Sequence, residues 1–581
     1  MPRRCKPPFN HRPNLRQASK RVAQRGAMGL LGVLTVLLAF SFAALAIDTG
    51  RLWVARQDMQ HAADLAALAA ARHNGCGTTA NDARERAAAS AKQFGVDIAQ
   101  PGVILSVTRG NLVNAVDSGV VSKVFIAGAE PSDTTTAAKV LLKKTVRKSL
   151  LMGGFAGQTI ELSAVATAQG EAPKATLSVG TRFGITQQQA DFISKLFSGI
   201  LGNSDLTLTS GSLNNLATSV VNLEALRIAA GAASLNELLN RQVTVTELLR
   251  WISTASTNID ATGQQALQSI ITASVGNGKL KLRVGDVLNV QTPAPDGVAT
   301  ANINVLDLVT VGLQIANKDT LITLNAGLAG ITSIKIKLLS LPKIAVGNKG
   351  RSAVSGAWCT SAQMAQVDAL IGLDTTGLPS LKIPLVAEIT VIADLALHLR
   401  AGGVNAHLID LMADSSGGQA KVETLSSLIN IDLSNNAGTG PARVAVSIDL
   451  VGGLLPIKEG VRVGLKVPAQ ETQGSVMSLN VPAPVRKNMP QRTDRGTNLG
   501  DTLSTALRGS ELTLEAEGLL SGLLNIVLAW LNPLLKGLID GLVTPLLTNI
   551  VVPLLDVLGF GVNGVSVELT DIVAPQPQLK I

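Results

Sequence analysis

The chain contains no tyrosine, and its ten phenylalanines and four tryptophans make aromatic residues only 2% of 581. Proteins that grip single-stranded nucleic acid stack bases on aromatic rings set in a basic groove, and such rings are scarce here. The formal charge of +9 does not compensate, because residues 1–25 carry eight Lys/Arg and no acid, leaving about +1 for the rest. A basic tail beside an apolar segment is not a basic face, so no nucleic-acid partner is expected.

Catalytic signatures are missing as well. The sequence has no Gly-x-Ser-x-Gly elbow, no Gly-x-x-x-x-Gly-Lys-Ser/Thr loop and no His-Glu-x-x-His helix. Three cysteines without a Cys-x-x-Cys exclude a zinc ribbon. Of five histidines, His11 lies in the tail and His61 and His73 on an alanine-rich helix. His398 and His407 fall near Asp394 and Asp410, residue types that serve metal or acid–base chemistry, but strand alternation puts His398 on a wet face. Asp432 to Asn436, DLSNN, approximates the Asp-x-Ser-x-Ser of a metal-ion-dependent adhesion loop with Asn436 replacing the second serine, and reads better as a surface turn. No catalytic residue, metal or cofactor is expected.

What the sequence does have is one long charge-free run, Gly26 to Ile47. Its 22 residues span ~33 Å as a helix against ~30 Å of hydrocarbon, long enough to cross a bilayer. Lys and Arg on its N-terminal side, with mixed charge after Ile47, set the N-terminus in the cytoplasm and everything beyond outside. Ala44-Leu45-Ala46 also fits a signal-peptidase site, but the run exceeds the 7–15 residues of a signal core, which favours an uncleaved anchor. Cys76 and Cys359 would then share an oxidising compartment, where a pair tends to bridge; two unrelated buried thiols are the alternative.

The helix is expected to continue outward. Leu52 to Ala71 has no proline and repeats the best helix former, and Asn74-Gly75 stops it. So many methyl-sized side chains suit either a homo-oligomeric contact with a second helix or the core of the chain's own domain. A second helix is expected over Asp82–Phe94, then strands at 102–108, 122–128, 138–146 and 158–169, a small α+β unit ending near Pro173. Residues 186–274 read as helices, with capping boxes at Ser234/Glu237 and Thr244/Glu247. Strand alternation returns at 333–341 and 442–450, and at 385–400 it predicts one long half-buried strand. Residues 481–500 read as a linker, and 501–581 as amphipathic helices over Gly518–Leu535 followed by short strands. The fold class is α+β: a single transmembrane helix extended as a stem (26–47, then 48–172) into a large mixed extracytoplasmic region (173–480).

One stretch resembles a known family. Arg25-Gly26, the apolar run, Asp48, Gly50, Arg51, Arg56, Gln60, Ala62, Ala63 and Asp64 resemble the N-terminal segment of TadE/TadG-like Flp (tight adherence) pilus-assembly proteins, and 143–169 is similar, more loosely, to the strand region that follows in TadG-like members. The resemblance implies a bitopic inner-membrane protein with a periplasmic bulk. It would act without catalysis in assembling or anchoring a type IV-like pilus for adhesion and biofilm growth, with other Tad proteins or pilins and the lipid bilayer as partners. A glutamate five residues after a prepilin cleavage point is absent, since cleavage after Gly26 would put Leu31 there, which argues against a major filament subunit. The imperfect DLSNN loop gives little support for the von Willebrand A-type domain of some TadG-like members. A surface or secreted structural or adhesive protein released after signal cleavage is the alternative, and an exported enzyme the third reading.

Overall fold

The computed structural model describes residues 25–117, 120–149, 159–179, 185–203, 205–275, 279–291, 298–318, 321–324, 331–374, 381–383, 387–401, 403–414, 417–426, 429–450, 456–466, 475–495, 511–517, 529, 532–533, 536–537, 565–574 and 576–580. Helix and strand are mixed, with a long apolar helix leading into a large α+β region.

Helix α1, Arg25–Ala71, runs unbroken for 47 residues, ~70 Å at 1.5 Å per residue. Its first half is long and apolar enough to cross a membrane and is nowhere buried. Its second half is the spine of a small unit. Helix α2, Ala80–Gln93, starts at a capping box in which the Thr79 hydroxyl accepts from the Asp82 amide and the Asp82 carboxylate accepts from the Thr79 amide. It packs beside α1 on an antiparallel sheet of β1 (Val103–Asp117), β2 (Val120–Ala127), β3 (Ala137–Arg147) and β4 (Thr159–Gln169), ordered β2-β1-β3-β4. The last described strand, Gln578–Leu579, adds to β4, which brings this segment back to the stem.

The core of this unit answers the question about the alanines. Ala62, Ala63, Ala66, Ala67, Ala70 and Ala71 are fully buried against Ala83, Ala87 and Ala91 of α2 and against Val140, Leu142 and Ala164 of the sheet. Of the two readings of these alanines, the structure has the second: the face is taken by the chain's own helix and sheet. Methyl groups let three backbones approach closely, so Ala66→Leu should overpack the unit and lower its stability by about 1–3 kcal/mol, read from chemical denaturation of the full chain in detergent.

The body begins at β5, Lys174–Val179. It lies inside a sheet ordered Leu288–Gln291, Ile344–Gly347, β5, Val565–Val573 and Gln491–Arg495. Helices between Gln187–Leu201 and Val305–Ala316 share one large core with this sheet and with the strands Ile331–Ser340, Gln366–Leu373, Ala396–Ala401 and Ile429–Ser434. A third sheet, Ser361–Gln363, Val404–Asp414, Gly417–Ser426 and Ser475–Pro482, has its own core with Leu177 and Leu569.

Two strand-level expectations need correction. The run 385–400 is two strands, Ala387–Asp394 and Ala396–Ala401, in different sheets: the first pairs with Ala442–Leu450, the second with Gln366–Leu373 and Ile429–Ser434. Alternation continues across the break because Ala393, Leu395, Leu397 and Leu399 are all buried in the same core. The segment 481–500, read as a linker, contains Gln491–Arg495, a strand paired with Val565–Val573. Its polarity reflects Arg492, whose guanidinium pairs with buried Glu568. The expected helices over Gly518–Leu535 lie almost wholly outside the described residues.

Candidate functional site

Six of the eight residues singled out on α1 fall into three groups. Asp48 and Arg51 sit just beyond the apolar run and fasten the helix to the end of β3: the Ser149 hydroxyl donates to Asp48 Oδ2, and Arg51 Nη2 donates to the Arg147 carbonyl at 2.5 Å. Gln60 Nε2 donates both to Asp64 Oδ1 at 2.8 Å and to the Val165 carbonyl of β4 at 3.0 Å, which fixes the helix against the strand. Ala62 and Ala63 are core. Arg56 is exposed, and nothing in the structure explains Gly50, whose α-carbon faces open space.

At the far end of α1 the stem meets the body. The Asn74 carbonyl accepts from the Ala172 amide at 2.9 Å, and Asn348 Nδ2 donates to the carbonyls of Ala172 and Pro173. Cys76 and Cys359 form a disulfide with Cα atoms 5.7 Å apart. Gly77 has φ +73°, and a Cβ there would lie 1.9 Å from the Lys349 carbonyl oxygen, so only glycine fits. Gly77→Ala should therefore hold the two cysteines apart, raising the thiol count under denaturing conditions from one, Cys5, to three.

Beneath this junction lies Arg109 on β1, its side chain 1% exposed. Its Nε and Nη2 grip Glu130 at 2.7 and 2.6 Å, while Nη1 donates to the Thr78 hydroxyl at 2.9 Å and to the carbonyls of Thr78 and His73 at 3.1 and 3.4 Å. One guanidinium thus ties the end of α1, the cysteine loop and the loop after β2 together. The Ser352 hydroxyl donates to Asp133 in a further link between stem and body. No signal in the sequence marks Arg109, which stands alone in the β1 alternation.

The histidine–aspartate grouping does not assemble. His398, expected on a wet face, is instead buried at 7% exposure and pairs with Asp368 at 2.5 Å, while His407 lies on another sheet, stacked on Trp358 with centroids 4.9 Å apart. Burial holds the His407 pKa below the usual imidazole value. Asp410 pairs instead with Lys349 at 2.6 Å, and Asp394 accepts from the Asn436 amide at 2.8 Å. In the DLSNN stretch, Asp432 and Ser434 lie within the strand Ile429–Ser434, a poor geometry for a metal loop. Among the described residues no group of three or more His, Cys, Asp or Glu is arranged to hold a metal.

A buried polar cluster carries no signature in the sequence. Glu568 on strand Val565–Val573 is 2% exposed and faces Arg492, Asn304 and the charge of Asp307. Burial, reinforced by Asp307, pushes its carboxyl up to about 7 against the pull of Arg492. A folded pKa above the unfolded one means the native state binds the extra proton, so the stabilisation is complete below pH ~4.5 and is lost as pH rises through 7. Over that window stability should fall on the order of 3 kcal/mol, and Glu568→Gln should flatten this part of the melting temperature–pH profile.

A groove of about 710 Å³ beside helix Ala261–Ser274 is lined by Asp205, Gln264, Gln268, Ser269 and Thr272, with no His, Cys or Lys. Residues 26–73 match the family model described as putative Flp pilus-assembly TadE/G-like. No curated protein and no solved structure matches the chain.

Proposed function

We propose that the protein is a bitopic, non-catalytic component of Flp pilus assembly or anchoring. In this reading the apolar half of α1 spans the inner membrane with the N-terminus cytoplasmic, and the body works in the periplasm on other Tad proteins or pilins, supporting adhesion and biofilm growth. The observation that carries the reading is α1 itself. The segment matching the pilus-assembly family is one continuous helix, unburied over its apolar half and welded into a sheet over its alanine half. Such a helix transmits position and load from the bilayer to the body without a hinge.

The test is genetic and topological together. A deletion strain should lose surface pili, the full chain should restore them, and residues 48–581 exported on a cleavable signal should not. Alkaline carbonate should leave the full chain in the membrane pellet, with protease cutting the body only from the periplasmic side. A native product starting at Ile47 in the soluble periplasm would instead establish the released-protein reading.

A further inference from the structure

The end of the stem unit nearest the apolar run has a composition of its own. Arg51, bonded to the Arg147 carbonyl, lies four residues past Ile47, a rise of ~6 Å, within the ~5–8 Å headgroup layer on each side of the hydrocarbon. Asp48, one residue past Ile47, holds Ser149. The descending end of β3 is therefore fixed at headgroup height by two bonds to α1.

Strand register brings the rest of the unit's lower edge to the same level. Thr159, the first residue of β4, is opposite Arg147, and Val103, the first of β1, is opposite Lys144. The turn from α2 into β1 reaches this edge too, since the Gly102 carbonyl accepts from the Thr145 amide at 2.8 Å. Large apolar side chains stand exposed along it: Phe94 at 50%, Ile98 at 38%, Ile104 at 58% and Ile160 at 36%. Trp53, 66% exposed on α1, stands where tryptophan anchors a helix at the interface.

Cations accompany these side chains. Lys92 and Lys143 are neutralised by Asp97 and Glu161, whereas Lys144, Arg147 and Lys148 make no ion pair among the described residues. Apolar side chains with excess cations at headgroup height are the two signals for an anionic interface.

Resting on the reading of α1 as a membrane span, we propose that the lower edge of the stem unit docks on the leaflet that α1 leaves. Lys144, Arg147 and Lys148 bind the phosphates of anionic phospholipids, and Phe94, Ile98, Ile104 and Ile160 enter the headgroup layer. The body then stands at a set height and tilt on the membrane instead of swinging on a single helix.

The experiment uses the full chain in nanodiscs of phosphatidylcholine alone, nanodiscs containing phosphatidylglycerol, and detergent micelles. Lysine acetylation rates are read site by site by mass spectrometry, with exposed Lys337 on the body as internal reference. In the anionic discs Lys144 and Lys148 should react roughly fivefold more slowly than in detergent, with Lys337 unchanged. High salt, or the paired change Arg147→Glu and Lys148→Glu read at Lys144, should remove most of the protection. Equal reactivity of Lys144 and Lys148 in anionic discs and detergent, in a chain retained by the discs, overturns the docking while leaving the anchor intact. Failure of the chain to enter discs overturns both.

Discussion

Replacing Cys76 and Cys359 together by serine should lower the unfolding free energy by roughly 5 kcal/mol, the entropy of closing so long a loop in the unfolded chain. The two residues are 283 apart in sequence, near the top of what one crosslink can contribute. The denaturant dependence of unfolding should steepen as well, because the uncrosslinked chain exposes more surface when unfolded. Cys76 is 9% and Cys359 0% exposed, so a reductant should reproduce the effect only under partly denaturing conditions. Guanidinium titration of both forms in detergent gives the answer, and coincident midpoints would sink the claim. The effect should extend beyond stability: the disulfide is a second covalent joint between stem and body, beside the backbone at 172–174, so in the proposed role its loss should also reduce pilus rescue in the deletion strain.

Arg109→Met should cost about 3–5 kcal/mol, the range for removing one partner of a buried pair. Two opposing effects set the position within it. Glu130 is 34% exposed, so its orphaned carboxylate regains water, which moderates the loss. The Thr78 carbonyl and hydroxyl, inside the junction, lose charged donors and regain less, each worth about 1–3 kcal/mol. Arg109→Lys should recover less than half, since one ammonium cannot reach Glu130 and the cysteine loop together as the planar fork does. Glu130→Gln, which leaves the fork's other bonds in place, should be much milder. Equal losses for Arg109→Met and Glu130→Gln would show that the ion pair alone matters and that the clamp on the loop does not.

Local rules account for much of the fold. The Thr244–Glu247 box forms reciprocally. At Ser234 the hydroxyl accepts from the Glu237 amide as expected, but the Glu237 carboxylate reaches back one residue further, to the Ala233 amide at 2.8 Å. Capping boxes also form at Thr79/Asp82, Thr186/Gln189 and Thr209/Ser212, where Asp, Gln or Ser at the third position reaches back to the cap amide as Glu does. Strands 442–450 and 159–169 follow from alternation alone. Of the candidate site, Asp48, Arg51 and Gln60 could be picked out, but their partners Ser149, Arg147 and Val165 could not.

By itself the sequence determined what depends on a residue and its near neighbours: a charge-free length sufficient for a bilayer, helix starts where a side chain can reach an amide three residues on, and the buried face of a half-buried strand such as 159–169. The tertiary structure decided everything that depends on which distant segment arrives. It placed six alanines against the chain's own sheet instead of a second subunit, split 385–400 between two sheets, and drew Gln491–Arg495 and Gln578–Leu579 in as strands. The physical reason is that periodicity reports which side of an element leaves water, and the hydrophobic effect that enforces it is blind to the identity of the neighbour. That identity comes from shape, register and hydrogen bonds between residues hundreds of positions apart, as at Asn304 and Glu568.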